Sequence, residues 1–414
     1  MDRSSPETER QASLVSWRIA VMAFFGGIGG GVVFPILPTL GLRMGLSALM
    51  VGVILAANRI VRVGVNPLTG ALVDRFGGRG VIAAGLFIEG FGTLGYIAAL
   101  HFAQPAAWFL AGRLVWGAGS SLLFVGSVAA VLAASSGGNR GRLVARARSA
   151  ISLGVPGGLV LGGLVTDFFS ADAAFMAALV LSVCTGFAAL AAIPRMVPVE
   201  SAETTAAAAV HGLVSVLRQR RLAGIWCFAA LLSFSVQGLL LATLVLLVDR
   251  RGISIAGFRA EGSAGLLLAV LMLAYAGTSL LIGRRLDVLP RRTRLLGVSV
   301  ALLVAGYLLL AFTPSLVLIV VALVAVGIGA GAIVVPLLTL IGDLVEPGLR
   351  GRATAIYQVA SDLGGTAGPI LGLILGVRFG FFAIYAGVAA LFVLSLPLAI
   401  ALARAEREKP DEGK

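Results

Sequence analysis

Hydrophobic residues occur in long runs along this 414-residue chain, and charged residues or Pro and Gly bound each run. Twelve runs approach the roughly 20 residues that an α-helix needs to cross the hydrocarbon core of a bilayer. They predict helices near residues 16–40, 47–72, 79–101, 105–134, 143–168, 172–194, 222–248, 262–285, 293–313, 315–341, 351–377 and 379–403. We therefore expect an all-α integral membrane protein with twelve transmembrane helices.

The predicted helices fall into two groups of six, because only the connection at residues 195–221 is long. The pattern predicts an N-terminal tail, a first bundle, a linker, a second bundle and a C-terminal tail, at residues 1–15, 16–194, 195–221, 222–403 and 404–414. The first tail carries both charge signs and lacks an apolar core, which is typical of a cytoplasmic tail and not of a signal peptide.

Composition and charge narrow the class of protein. The chain is 59% hydrophobic and 12% charged, whereas a soluble domain carries about 25% charged residues. The net charge of +13 lies mostly in short loops, so it indicates membrane topology and gives no reason to expect a nucleic-acid partner. Placing both termini in the cytoplasm puts 24 of the 32 Lys and Arg residues on that side and 5 outside. The excess of Arg over Lys, with abundant Ala and Gly, is typical of a GC-rich bacterial source.

The two halves repeat each other. The stretch "GAGSSLLFVG" from Gly117 aligns with "GIGAGAIVVP" from Gly327, 210 positions later. At the same offset three glycines with a spacing of four residues align with three others: Gly154, Gly158 and Gly162 with Gly364, Gly368 and Gly372. Such glycines share one helical face and allow close helix packing. A second alignment, at an offset of 213, joins the loop of residues 70–79 to that of 283–292, which contains Gly283, Asp287, Arg291 and Arg292. Duplicated halves are typical of secondary transporters, with the substrate near the midplane between the repeats.

These motifs resemble the major facilitator superfamily, and the resemblance covers the whole chain. The loop "GALVDRFGGRG" is similar to the superfamily's signature after the second helix; the matching residues include Gly70, Asp74, Arg75, Gly77 and, one position late, Arg79. The fourth span, "GRLVWGAGSS", resembles the superfamily's R-x-x-x-G-x-G signature at Arg113, Gly117 and Gly119, and the chain as a whole resembles the drug/proton antiporters. The resemblance implies two pseudo-symmetric six-helix bundles, a monomer and alternating access. It also implies that Asp74 lies near the N-terminus of the eleventh helix, where the helix dipole favours an anion; a solvated turn is the alternative.

The fifth span departs from the antiporter signature. Gly154, Gly158, Gly162 and Gly163 fit the pattern, but Leu159 occupies the proline position and a proline stands at Pro156 instead. Antiport and symport therefore both remain open.

Five charged residues fall at similar depth within predicted spans: Arg59, Arg62, Glu89, Arg113 and Asp362. Ionisable residues inside a membrane indicate a functional site, and each needs a partner. Asp362 is expected to meet Arg59 or Arg62 as a gate, and Glu89 to pair with the remaining arginine or with Arg113. Glu89 or Asp362 is a candidate proton-coupling group, and the surplus positive charge favours an anionic substrate group. A purely structural network is the alternative.

The resemblance assigns the first, fourth, seventh and tenth helices to the substrate cavity. The candidates share aromatic or small polar side chains on those helices: Phe34, Arg113, Trp116, Ser120, Phe124, Trp226, Ser233 and Gln237. Aromatic groups with one arginine suit an amphipathic or anionic organic solute better than a sugar. The first helix is expected to be broken, since it is rich in Gly and contains Pro35 and Pro38.

Catalytic signatures are absent from the sequence, so we expect no enzyme activity, cofactor or metal. His101 and His211 lack metal-ligand spacing, and no P-loop is present. Cys184 and Cys227 are expected to be buried free thiols. We expect a bacterial inner-membrane efflux protein in which proton antiport drives export of a small organic molecule. A symporter or uniporter for an organic anion, and a transporter-like sensor or assembly protein, remain alternatives.

Overall fold

The computed structural model describes residues 6–135, 140–195, 220–285, 294–312, 315–345 and 350–407, which are almost entirely helical. The first six helices are α1 (Pro6–Gly31), α2 (Val33–Arg43), α3 (Ala48–His101), α4 (Pro105–Ala133), α5 (Arg140–Phe168) and α6 (Ala171–Ala192). A helix α7 (Arg220–Leu232), a π-helix (Ser233–Leu240) and α8 (Leu241–Arg250) then follow without interruption. The last five helices are α9 (Ala260–Arg285), α10 (Arg294–Phe312), α11 (Leu316–Leu344), α12 (Arg350–Leu394) and α13 (Leu396–Arg407).

Ten helical segments of the described chain are long and apolar enough to cross a membrane, and two of them are about twice the necessary length. The 54 residues of α3 would extend roughly 80 Å, far more than the roughly 30 Å of a hydrocarbon core. Gly77 interrupts α3 with a φ of 77°, and Gly380 interrupts α12 with a φ of 82°. Only Gly adopts this backbone readily. Each glycine therefore separates two spans, which accounts for the twelve predicted; α3N (48–76) and α3C (78–101) denote the parts of α3.

The expected break of the first predicted span is not formed: Val32, between α1 and α2, keeps helical backbone angles (φ −54°, ψ −38°), and one helix runs through Arg10–Arg43 with only a local irregularity at that residue. Pro35 lies in the first turn of α2, where the missing N–H is tolerated. The helix α1 begins at Pro6, ten residues before the predicted start of the span, so most of the predicted tail is helical. The seventh span carries a different irregularity, the eight-residue π-helix, which sequence periodicity did not predict.

The contacts within the chain define two compact units. Unit 1 comprises residues 1–202 and 244–269, and unit 2 comprises residues 203–243 and 270–414. Residues 244–269, which the sequence assigned to the second bundle, pack with the first unit. Most of the predicted linker lies outside the described residues, so the division at 195–221 stays a prediction.

Large apolar side chains cover the outer surface of the helices, as expected where lipid is the solvent. Phe91, Phe187 and Leu394 are 68%, 62% and 72% exposed. Cys184 and Cys227 are free and also exposed, so their predicted burial is wrong. The apolar pattern around them indicated contact with lipid, because in a membrane a hydrophobic face does not have to point inward.

Candidate functional site

Arg113 is the largest fully buried side chain of unit 1, with 1% exposure. Its Nη2 donates to Leu55 O and to Asn58 Oδ1, both at 3.1 Å, and its Nε donates to Ile54 O at 3.4 Å. These three acceptors all belong to α3N. The guanidinium therefore ties α4 to α3N through backbone carbonyls and an amide.

Aromatic rings surround the same guanidinium. Its Cζ lies 5.7 Å from the centroid of Phe34 and 5.4 Å from that of Trp116, and its Nη1 donates to Tyr96 Oη at 3.4 Å. Ring faces attract cations. No carboxylate among the described residues forms an ion pair with Arg113. A positive charge is thus held inside the helix bundle by dipoles and π-faces.

Glu89 lies on α3C and is fully buried. Neither carboxyl oxygen has a hydrogen-bond partner among the described residues. Its surroundings are small or apolar: a Cβ added to Gly26 would lie 3.4 Å from Glu89 Oε2, and one added to Gly119 would lie 3.0 Å from its Cγ. An ionised carboxylate that is buried without a hydrogen-bond partner or a counter-ion costs many kcal/mol. The neutral acid is the form that fits this arrangement.

The predicted pairing of Glu89 with Arg113 is not formed. Tyr96 lies on the Glu89 face of α3C, seven residues along, and interacts electrostatically with both groups. The guanidinium instead turns toward α3N, because three acceptors are available there. Arg62 also lacks a partner at Nε among the described residues, whereas Arg59 takes part in other interactions. Pairing of either arginine with Asp362 would join the two units and stays a prediction.

A polar cluster that the sequence analysis missed lies between α3N and α4. Ser121 Oγ donates a short hydrogen bond to Asn66 Oδ1, and Thr69 Oγ1 lies 3.3 Å from Ser121 Oγ. The sequence carried a signal for this cluster, because Asn66 and Thr69 are three residues apart and therefore share one face of α3N. This cluster continues the polar side of α3N that begins at Asn58.

The three glycines of α5 pack against α1. A Cβ on Gly154, Gly158 or Gly162 would overlap the carbonyl oxygen of a residue in the first span: Phe24, Ile28 and Val32, respectively. In unit 2, Gly364 and Gly368 meet the carbonyls of Ala230 and Phe234 in the same way, and a Cβ on Gly372 would lie 2.9 Å from Leu239 Cγ. The two glycine stripes therefore occupy equivalent helix contacts.

The remaining cavity candidates of α4 are occupied by packing within unit 1. Ser120 is fully buried and its Oγ donates to Gly117 O at 2.9 Å, and Phe124 packs against the apolar core of the unit. In unit 2, Ser233 begins the π-helix and shares a short hydrogen bond with Ser361. Trp226 has a buried Nε1 without a partner among the described residues, and Gln237 is half-buried within the π-helix. Their role in a substrate cavity stays a prediction.

The loop-signature residues surround the turn at Gly77. Asp74 is half-buried and takes part in other interactions, Arg75 and Gly70 lie at the surface or near it, and Arg79 lies in the first turn of α3C. The predicted place of Asp74 beside the eleventh helix concerns the other unit and stays a prediction. Of the repeat loop, Gly283 lies in the last turns of α9, while Asp287, Arg291 and Arg292 lie outside the described residues.

A strap, defined here as residues 249–265, crosses the opposite end of unit 1 from the Gly77 turn. Glu261 is buried; its Oε1 accepts from Thr39 Oγ1 at 2.9 Å and lies 3.2 Å from Arg43 Nη1. Arg259 Nε donates to Asp167 Oδ1 at 2.9 Å, and its backbone N–H donates to the other oxygen at 2.8 Å. The strap is thereby attached to both α2 and α5.

Comparison with known proteins agrees with this architecture. The model of the Major Facilitator Superfamily matches residues 19–262 and 257–414. A bacillibactin exporter of Bacillus subtilis is 30% identical over 95 residues, 23% of this chain and 24% of that protein. Multidrug resistance protein 1 of the same species is 27% identical over 168 residues, 39% and 42%. The protein MdtH of Aeromonas hydrophila is 27% identical over 164 residues, 39% and 40%. The chain thus spans less than half the length of these relatives.

Solved structures resemble the whole chain. The nucleoside transporter NupG aligns with a TM-score of 0.74 at 16% identity, over 95% of this chain and all of that one. The human organic anion transporter MFSD10 aligns with a TM-score of 0.64 at 20% identity, again over 95% and 100%. At these identities the likeness establishes the fold alone.

Proposed function

The chain belongs to the major facilitator superfamily and is a multi-pass membrane transporter rather than an enzyme; on that premise we propose that it exports a small organic solute in exchange for protons. The solute is amphipathic or anionic, and the membrane is a bacterial inner membrane with both chain termini in the cytoplasm. The distribution of arginines supports this orientation. The names of three relatives, an exporter and two multidrug resistance proteins, support export.

The observation that carries the proposal is the environment of Glu89. A carboxyl group that is fully buried, with both oxygens unpartnered among the described residues, is stable as the neutral acid and unstable as the anion. A change that admits water or brings a cation near would release the proton. This dependence on surroundings is the property that a coupling group requires.

Arg113 is the cation that an ionised Glu89 would attract. Its bonds to Ile54, Leu55 and Asn58 are to neutral acceptors, and a charged acceptor would add direct Coulomb attraction, which is strong where the dielectric constant is low. An ionised Glu89, or an anionic group of a solute, would therefore compete with α3N for the guanidinium. Proton release and solute binding would thus both act on the contact between α4 and α3N.

Purified protein in liposomes loaded with a pH-sensitive dye tests the proposal. We expect a compound from a panel of lipophilic cations, organic anions and sugars to evoke proton movement with wild-type protein. Glu89→Gln should abolish that movement while the solute still binds. Asp172→Asn, which changes an exposed carboxylate, is the matched control and should behave as wild type. Asp362→Asn tests the second candidate carboxylate.

The outcomes separate the alternatives. Solute flux without proton movement in wild-type protein would establish a uniporter, and movement of protons and solute in the same direction would establish a symporter. Unchanged proton movement in well-folded Glu89→Gln would remove Glu89 from coupling. If the protein binds a compound of the panel but transports none of them, the result would favour a sensor.

A further inference from the structure

Ser182 on α6 carries a buried hydroxyl that the proposed mechanism does not use. The residue is 1% exposed, and its Oγ has no hydrogen-bond partner among the described residues. A Cβ on Gly29 of α1 would lie 3.3 Å from this oxygen, and a Cβ on Gly90 of α3C would lie 3.7 Å from Ser182 Cβ. Ser182 therefore sits where α1, α3C and α6 meet, beside the residue that follows Glu89.

Glu89 approaches the same face of α1. Its Oε2 lies 3.4 Å from the Cβ position of Gly26. Gly26 and Gly29 are three residues apart, so their Cβ positions share one helical face and are separated by about 4.5 Å along the axis. The two glycine positions that these oxygens approach thus lie about one helical turn apart, and Leu123 Cδ2 fills the space at the Cβ position of Gly26.

The missing side chain of Gly29 leaves room beside Ser182. Outside the local backbone of α1, Ser182 Oγ is the single heavy atom of the described structure within 4 Å of that Cβ position. A buried water makes about three hydrogen bonds and can bridge polar groups roughly 5.5 Å apart. A water in the space at Gly29 would have Ser182 Oγ beside it and the Glu89 carboxyl near the next turn of α1.

We propose that Gly29, Ser182 and the Glu89 carboxyl form an internal hydration site between α1, α3C and α6, through which Glu89 exchanges its proton. Ser182 is a positioning residue: it holds a water that accepts the carboxyl proton, becomes hydronium and gives a proton to bulk water, leaving Glu89 as a carboxylate and the bound water neutral again. The charged and titratable groups that act on this part of the unit are Arg113 of α4 and Tyr96 of α3C. The facing residues of α1 and α6, Gly26, Gly29 and Ser182, are neutral. The inference rests on the proposed coupling role of Glu89.

Infrared difference spectroscopy of the reconstituted full-length protein tests this without a known substrate. The carboxylic C=O band of Glu89 is identified by its loss in Glu89→Gln. We expect Ser182→Ala to shift that band, because the carboxyl loses a hydrogen-bonded water, and Gly29→Ala to do the same by filling the site. A water O–H band that moves in H₂¹⁸O should disappear in both variants, whereas Ser182→Thr, which keeps the hydroxyl, should retain it.

Ser127→Ala is the matched control. Ser127 on α4 is equally buried and also lacks a partner at Oγ among the described residues, but it is not among the atoms around Gly26 or Gly29. A band that stays unchanged in Ser182→Ala, or shifts equally in Ser127→Ala, would overturn the hydration site. If instead no carboxylic band is lost in Glu89→Gln, the proposed coupling role fails as well. A normal loss in Glu89→Gln with no effect of Ser182→Ala refutes the hydration site alone.

Discussion

The first span and the seventh span solve the same packing problem in different ways. In unit 1 the glycines of α5 meet Phe24, Ile28 and Val32, which are four residues apart. In unit 2, Gly368 of α12 meets Phe234 O and Gly238 Cα, which are four residues apart, whereas Gly158 meets Ile28 O and Gly31 Cα, which are three apart. The additional residue lies inside the π-helix Ser233–Leu240, whose hydrogen bonds connect residues five apart. In unit 1 the irregularity is the single residue Val32, which keeps helical angles between α1 and α2.

Each irregularity falls at the third glycine of its own stripe. In unit 1 that glycine is Gly162, which meets Val32, and in unit 2 it is Gly372, which meets Leu239. A π-helix holds one additional residue in a wider turn, whereas Val32 keeps the ordinary α-helical angles. The two units therefore share a repeat in sequence but differ in the turn geometry of the helix that packs on the glycine stripe. π-helical segments often occur at functional sites.

Gly158→Ala should give the largest effect. The added Cβ would overlap Ile28 O, and backbone on both sides prevents relief, so we expect a loss of about 3 kcal/mol of stability. Thermal unfolding of purified protein measures it. Gly157→Ala is the control, because its Cβ would meet only the side chain of Ile28, at 3.3 Å. Equal melting temperatures for the two variants would refute close packing of α5 on α1.

Gly368→Ala should cost less, about 1 to 2 kcal/mol. Its Cβ would also meet backbone, at Phe234 O and Leu239 N, but the π-helix can shift its register. In Gly368→Ala we expect faster amide hydrogen exchange within residues 233–240. In Gly158→Ala we expect no comparable increase in exchange near Gly31. A loss of stability as large as that of Gly158→Ala would show that the π-helix is as rigid as the α1 backbone.

Deletion of Val236 should convert the π-helix to regular α-helix, because a π-helix is equivalent to one inserted residue. We expect stability to change by no more than about 1 kcal/mol and substrate-evoked proton movement to fall. Deletion of Ile28, from a regular part of α1, is the control and should prevent folding by rotating everything that follows. Wild-type transport after deletion of Val236 would make the π-helix a packing feature alone.

Charge reversal at the strap should give the smallest effect. Arg43 is 58% exposed, so its pairing with Glu261 is worth about 0.5 kcal/mol. Arg43→Glu should lower the melting temperature slightly and increase labelling of Thr166→Cys, in a background without Cys184 and Cys227, by a polar maleimide. The double variant Arg43→Glu with Glu261→Arg should restore protection. Failure of the second reversal to restore it would mean that the pair does not hold the strap.

Several features of the site depended on neighbours that no local pattern identifies. Glu89 and Arg113 were both recognised as charges at mid-membrane depth, yet their pairing, one of two alternatives for Glu89, is not formed, and the guanidinium donates to three acceptors on α3N instead. Cys184 and Cys227 were wrongly expected to be buried, because apolar sequence cannot distinguish lipid contact from core. Ser182 carried no signal, since an isolated serine in an apolar helix is unremarked until Gly29 and Glu89 lie beside it.

The sequence by itself determined the transmembrane character, the twelve spans, the internal repeat and the resemblance to the superfamily, because these depend on composition and on periodicity along the chain. The tertiary structure alone decided which atoms surround each buried charge, that residues 249–265 attach to α2 and α5, and that one repeat widens its helix into a π-helix where the other keeps α-helical turns. The physical reason is that burial and hydrogen bonding are properties of several helices together. A glycine at a given position reports only that something comes close, and the fold determines what that is.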